Sequence, residues 1–153
     1  MKHFKLRYSA AIILAACLIL SACADKKPEA VNVQELGTKI ASAADFPDTM
    51  TPVEPEMMTV LYGLNSGQWE EYFALASGGA TADELVVVRL KDKKSAGEVK
   101  EQLEKRRKDR EESFTSYAPQ EAKKAGNGWI KILGSTVIYC VCPNAEAAKK
   151  MAG

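Results

Sequence analysis

Leu85-Val86-Val87-Val88-Arg89-Leu90 is apolar at every position but one, and three of its residues in a row are β-branched valines. Such a run favours the pleated conformation. Apolar residues point to both faces, so the segment reads as a central strand, buried on each side. Before it, Trp69 to Ser77 alternates Phe73 and Leu75 against Tyr72, Ala74 and Ala76, the period of a second strand. Asn65-Ser66-Gly67 is turn chemistry ahead of that strand. Gly78-Gly79 lies in the loop between the two strands, which predicts an antiparallel hairpin.

After the central strand, Ser95 to Tyr117 reads as the longest helix, with Ser95 as its cap and Glu98 three residues on. Val99, Leu103, Phe114 and Tyr117 form its apolar face. Glu104 to Ser113 (EKRRKDREES) contains no apolar residue. Its mixed signs read as a solvated helix face supported by Glu101–Lys105 and Glu104–Lys108 pairs, rather than as a basic binding stripe. Ala118-Pro119 ends the helix, and a loop runs to Asn127-Gly128. Trp129 to Leu133 and Thr136 to Cys142 then form a second hairpin around a II′-type turn at Gly134-Ser135. Pro143-Asn144 starts a short helix to Met151.

Towards the N-terminus, Asn32 caps a helix with Glu35 as capping-box partner and Val31 and Leu36 as a hydrophobic staple. Phe46-Pro47-Asp48 ends it. A loop with Pro52 and Pro55 leads to a short helix, Glu56 to Leu64, with Met57, Val60, Leu61 and Leu64 apolar. The expected architecture is α+β: a two-layer sandwich in which two hairpins make an antiparallel four-stranded sheet. One long helix covers it, with short N-terminal helices beside it.

The arginines are placed by arithmetic. A strand from Leu85 to Lys91 spans about 20 Å, and a helix running back over it covers that length in about 13 residues. Arg106, Arg107 and Arg110 then lie level with Asp83 and Glu84. Asp83, Glu84, Arg106 and Arg110 form the candidate cluster, either a structural ion pair with Arg106 as the first choice or an anion site if an arginine stays unpaired. Phe114 and Tyr117 are expected to pack on Met57, Leu61 and Leu64.

The first residues carry a different message. Lys2, Lys5 and Arg7 make a basic start, Ala10 to Leu20 an unbroken apolar run, and Ser21 and Ala22 a small-residue site. This is the layout of a secretory signal, and the run is shorter than the roughly 20 residues of a spanning helix. Leu20-Ser21-Ala22-Cys23 resembles the lipobox of bacterial lipoproteins. The resemblance implies cleavage between Ala22 and Cys23 and a diacylglycerol on the Cys23 sulfur. Two acyl chains suffice for stable anchoring where one is marginal. The expected organisation is a signal peptide over 1–22, a lipidated tether over 23–30 and one α+β domain over 31–153. Lys26 and Lys27 in the tether would face anionic headgroups or simply be solvated.

Removing the three positive charges of Lys2, Lys5 and Arg7 takes the formal charge from +1 to −2. That argues against nucleic acid as a partner. His3 is the sole histidine and leaves with the signal, so Ser-His-Asp, Cys-His and histidine-metal chemistry are excluded from the mature chain. Nucleotide-binding glycine loops and the G-x-S-x-G and S-x-x-K signatures are absent. Cys140 and Cys142 share a strand face with Cα atoms about 6.5–7 Å apart, awkward for a disulfide. They read as small hydrophobes. No cofactor and no metal is expected.

Leu61-Tyr62-Gly63-Leu64, Glu71-Tyr72, Ala82-Asp83-Glu84-Leu85, Arg106, Phe114, Tyr117-Ala118-Pro119 and the closing apolar strand occur in an order similar to one uncharacterised bacterial lipoprotein family. That family, chiefly of Firmicutes, is known as domain of unknown function 4358, and the resemblance spans nearly all of the mature chain. Cys140 and Cys142 stand where the family has aliphatic residues, and Arg107 where an apolar residue is expected. The resemblance implies export and lipid anchoring and brings no activity. The functional expectation is therefore a membrane-tethered, extracytoplasmic, non-enzymatic binding or accessory protein, held by membrane lipid and meeting an envelope protein partner. The alternatives are a small-solute-binding lipoprotein and a carboxylate-based cell-wall hydrolase. The latter needs two facing carboxyl groups, which the adjacent Asp83 and Glu84 do not supply on a regular strand.

Overall fold

Eleven residues after the cap Asn32 form α1 (Val33–Ala43), the first helix of the computed structural model, which describes residues 31–153. The residues of the expected signal peptide and tether, Ala22 and Cys23 among them, lie outside the described residues. Asn32 Oδ1 accepts from Glu35 N at 3.0 Å as expected of a cap. Glu35 pairs with Lys39 at 2.5 Å rather than closing a capping box. The chain continues through β1 (Met50–Pro52), α2 (Pro55–Tyr62), β2 (Trp69–Ser77) and β3 (Glu84–Leu90). After a 3₁₀ turn at Lys93–Ser95 come α3 (Ala96–Phe114), α4 (Pro119–Gly126), β4 (Trp129–Leu133), β5 (Thr136–Val141) and α5 (Ala145–Met151). Ser95 stands at the N-cap of α3 as expected but its side chain makes no cap bond, and Asp92 caps the 3₁₀ turn ahead of it, its Oδ1 accepting from Lys94 N at 2.9 Å.

The sheet is antiparallel with the order β1-β2-β3-β5-β4. Both expected hairpins are present, and β3 lies between β2 and β5, as its apolar sequence predicts. The sheet has five strands instead of four. β1 falls in an expected loop, because three residues ending in Pro52 show no period. It pairs only with β2 and so lies at an edge, where proline's missing N–H is tolerated. The expected loop after the long helix holds a helix instead. Pro119, expected only to stop α3, is the first residue of α4, a position that suits its fixed φ and missing donor.

The two-layer expectation is corrected as well, since helices pack on both faces of the sheet. On one face Val86, Val88, Leu90, Val137, Tyr139 and Val141 meet Met58 and Tyr62 of α2, Val99, Leu103 and Phe114 of α3, and Ala122 and Ala125 of α4. On the other face Leu85, Val87, Ile138 and Cys140 meet Val33 and Ile40 of α1 and Ala148 of α5. Asn144 N donates to Ala44 O at 3.1 Å, tying the ends of these two helices. β3, apolar on both sides, requires two covers. Among the described residues no helix is long and apolar enough to cross a membrane.

The short helix α2 buries Met58 and Tyr62 and leaves Met57 and Val60 outward, Val60 being 72% exposed. Of the expected Met57/Val60/Leu61/Leu64 set, Leu64 is buried and Leu61 packs on the core, while Met58 and Tyr62, which satisfy helical spacing equally, take the inward places of Met57 and Val60. Gly63 ends α2 in the left-handed conformation, φ 72°, and its N–H donates to Thr59 O at 3.0 Å.

Close packing also gives a prediction on the opposite face. Gly37 of α1 sits so close to the Phe73 ring of β2 that a Cβ there would overlap it. Gly37→Ala is expected to destabilise by about 1–3 kcal/mol through overpacking. This outcome opposes the roughly 1 kcal/mol that alanine gains over glycine in a helix. Urea unfolding decides, and a stabilised variant would mean that Phe73 moves aside freely.

Candidate functional site

α3 returns antiparallel over β3, and one turn separates Arg106 from Arg110. Both side chains therefore descend on the first residue of β3. Glu84 is 1% exposed. Its carboxylate accepts from Arg106 Nε at 3.1 and 3.3 Å and from Arg106 Nη2 at 2.5 Å. Tyr139 Oη, on β5, donates to Glu84 Oε2 at 3.1 Å. Burial alone would pull the Arg106 guanidinium down, but the hydrogen bonds and charge of Glu84 more than offset it and hold it above its ordinary value. Burial first, and then the charge of Glu84, push the Tyr62 and Tyr139 hydroxyls well up.

Arg110 is engaged differently. Its Nη2 donates to Thr81 O at 2.6 Å, and its Nε is 3.7 Å from Glu84 Oε1, too far for a hydrogen bond. That Nε is buried without a partner, as is Tyr62 Oη. The Arg110 Cζ lies 4.6 Å from the centre of the Phe114 ring, and the Arg106 Cζ lies 5.6 Å from that of Tyr62, both within cation–π range. Two guanidinium groups thus face one buried carboxylate. Beside them opens a groove of about 450 Å³, walled by Val53, Met57 and Leu61 and lipped by Gly78 and Gly79, with Glu54 at its rim. This is the size of an ordinary small-ligand site.

Asp83 does not join this cluster. It is fully buried, and its Oδ2 accepts from Lys124 Nζ of α4 at 2.9 Å while Oδ1 has no partner. Lys124 also meets Glu121 at 2.9 Å, and Glu121 Oε2 accepts from Ala82 N at 2.7 Å. Arg107, expected level with the two carboxylates, turns to α4 instead. It donates to Glu104 Oε2 at 2.9 Å and to Gly126 O at 3.0 Å, closing the end of that helix. The stripe between Leu103 and Phe114 is therefore not a fully solvated face. The expected Glu101–Lys105 and Glu104–Lys108 pairs give way to Lys105–Asp109 and the pairs of Arg107 with Glu104 and Glu111. Phe114 is buried as expected, but Tyr117 is 67% exposed and does not pack inward.

Sequence reasoning misses Lys124, Glu121, Tyr62 and Tyr139 as members of these networks. Only the i,i+3 spacing of Glu121 and Lys124 is visible there, and it has meaning only on the helix that replaces the expected loop. Cys140 and Cys142 are free, buried thiols. The hydrogen bond with Cys142, and then burial, push the Cys140 thiol up. Among the described residues no three His, Cys, Asp or Glu side chains converge as a metal site requires.

The Lys124 network gives a pH prediction. Burial alone would raise the Glu121 carboxyl, but the Ala82 N–H and Lys124 outweigh it and hold it below the ordinary 4.5. A carboxyl lowered in the folded state adds stability that is present above 4.5 and lost as pH falls through the lowered value. Glu121→Gln is expected to flatten the acid limb of the stability curve, measured as urea midpoints between about pH 3 and 7. An unchanged limb would show that this carboxylate is not what the fold holds ionised.

Residues 42–142 match the family described as a domain of unknown function, DUF4358. The matched stretch includes the whole sheet, α2 to α4 and the Glu84–Arg106–Arg110 cluster, and leaves out α5 and most of α1. It is shorter than the resemblance implied. No curated protein and no solved structure matches the chain. With more than half of its length matched, the chain belongs to the DUF4358 family, a family defined by its shared domain and carrying no assigned activity.

Proposed function

We propose that this is a membrane-tethered extracytoplasmic lipoprotein whose α+β domain is a non-enzymatic binding module. The observation that carries the binding role is the groove over Glu84, with two guanidinium groups on its floor and only one buried carboxylate between them. The anchoring role rests on Leu20-Ser21-Ala22-Cys23 behind an apolar run. Partners are membrane lipid through the diacylglycerol on Cys23, and a ligand or envelope protein at the groove. The reading as a binder rather than a hydrolase is supported by the state of Glu84. Arg106 and Tyr139 occupy its lone pairs, while Asp83 is engaged by Lys124.

Cys23→Ser is expected to abolish lipid labelling and leave an unprocessed precursor, because the thioether requires sulfur. Palmitate labelling of whole cells reads this directly, and normal labelling of the variant overturns the anchor. Crosslinking on intact cells, with capture lost on replacing Arg110 but retained on replacing the exposed Lys105 on the outer side of α3, tests the binding role.

A further inference from the structure

The charges around the groove define what it would accept. Arg106 is engaged by Glu84 through Nε and Nη2, whereas Arg110 holds one backbone carbonyl and has no carboxylate within hydrogen-bond distance. One guanidinium is therefore left at the groove without a hydrogen-bonded carboxylate. Glu54 at the rim adds a negative charge of its own. Arg106 and Arg110 against Glu84 and Glu54 make the groove lining formally neutral, so a monoanion on Arg110 adds one unmatched charge where a dianion adds two. The planar guanidinium fork suits a carboxylate. Val53, Met57 and Leu61 wall the same space, and Met57 is 39% exposed. An occupant thus gains by placing an apolar body against them.

We infer that the groove binds a small monocarboxylate with an apolar body, its carboxylate on Arg110 and its apolar part against Met57 and Leu61. The inference rests on the binding role proposed above and names its ligand class. The placement of Phe114 under Arg110 supports it, because the ring fixes the guanidinium plane and leaves that group preorganised.

The test is calorimetric titration of the full lipidated protein in nonionic detergent. The probes are N-acetyl-leucine, its C-terminal amide and inorganic phosphate. N-acetyl-leucine is expected to bind at least tenfold tighter than either of the others. Arg110→Gln is expected to bring the acid down to the level of the amide, and Met57→Ser to weaken the acid severalfold. In protein labelled with ¹⁵N-arginine, the acid should shift the Arg110 Nε–H resonance and leave that of Arg89 in place. Should Arg110→Gln fail to fold, the acid-to-amide ratio on the unaltered protein still decides. Equal binding of acid and amide overturns the carboxylate inference and leaves the binding module standing. Phosphate binding as tightly as the acid overturns it too, by removing the need for an apolar body. If neither leucine probe binds, the inference falls, and if cell-surface crosslinking also captures nothing, the binding role falls with it.

Discussion

Glu84→Gln is expected to cost about 3 kcal/mol of stability, the low end of what breaking a buried ion pair costs. Glutamine keeps the shape but brings an amide donor towards Arg106 and Arg110, which are themselves only donors. Two guanidinium groups would then lose the buried carboxylate that both face. Their side chains are 20% and 15% exposed, so water relieves part of the penalty, which is why the low end applies. The Tyr139 hydroxyl would lose the charge on its acceptor as well. Urea unfolding of the single variants and of Glu84→Gln combined with Arg106→Met measures the coupling. The double variant is expected to lose less than the two singles together, because Arg106→Met removes the charge that Glu84→Gln strands. A loss below about 1 kcal/mol for Glu84→Gln would instead make the pair equivalent to a hydrated surface bridge.

Phe114→Ala is expected to cost about 3–5 kcal/mol, as for other buried aromatic truncations. The ring is fully buried in the core shared by α2, α3 and one sheet face. Polar residues fill the ten positions between Leu103 and Phe114, so Phe114 is the apolar anchor for the second half of α3. Its loss would leave a void and also free the Arg110 guanidinium that rests on it. Tyr117→Ala, three residues on, is the control: its ring is mostly exposed, and a surface change of this kind is expected to stay within about 0.5 kcal/mol. Similar losses for the two variants would mean that Tyr117 closes over Phe114 and shares its burial.

The central strand is legible because three adjacent valines leave few alternatives to a doubly buried strand. The same residues imply a second cover for the sheet. The expected two-layer arrangement supplies only one, although both α1 and α5 are legible as helices. Their placement is what fails, because an amphipathic helix announces that it must pack but not on which face. β1 and α4 escape for local reasons. Three residues ending in proline carry no periodicity, and a helix whose buried residues are Ala122 and Ala125 offers little hydrophobic contrast.

The site is partly legible. Counting residues along β3 and back along α3 brings Arg106 and Arg110 to Glu84, since rises per residue are properties of regular backbone. That count does not separate Arg106 from Arg107, because adjacent residues differ by about a third of a helical turn and the packing of α4 selects which one turns towards it. Nor does it find Lys124, which lies 41 residues from Asp83 on a helix with a weak signal.

By itself, then, the amino-acid order determined the strands with strong alternation or double burial, the long helix, the cap at Asn32, the start of the last helix near Asn144, and the placement of the arginines level with Asp83 and Glu84. Each follows from short-range periodicity or fixed backbone rise. The tertiary structure alone decided that both sheet faces are covered, that Arg107 closes α4, that Asp83 belongs to Lys124, and that Arg110 is left without a hydrogen-bonded carboxylate beside an open groove. These depend on which of several equally apolar or equally charged faces meet, and that choice is made by packing between segments distant in the chain.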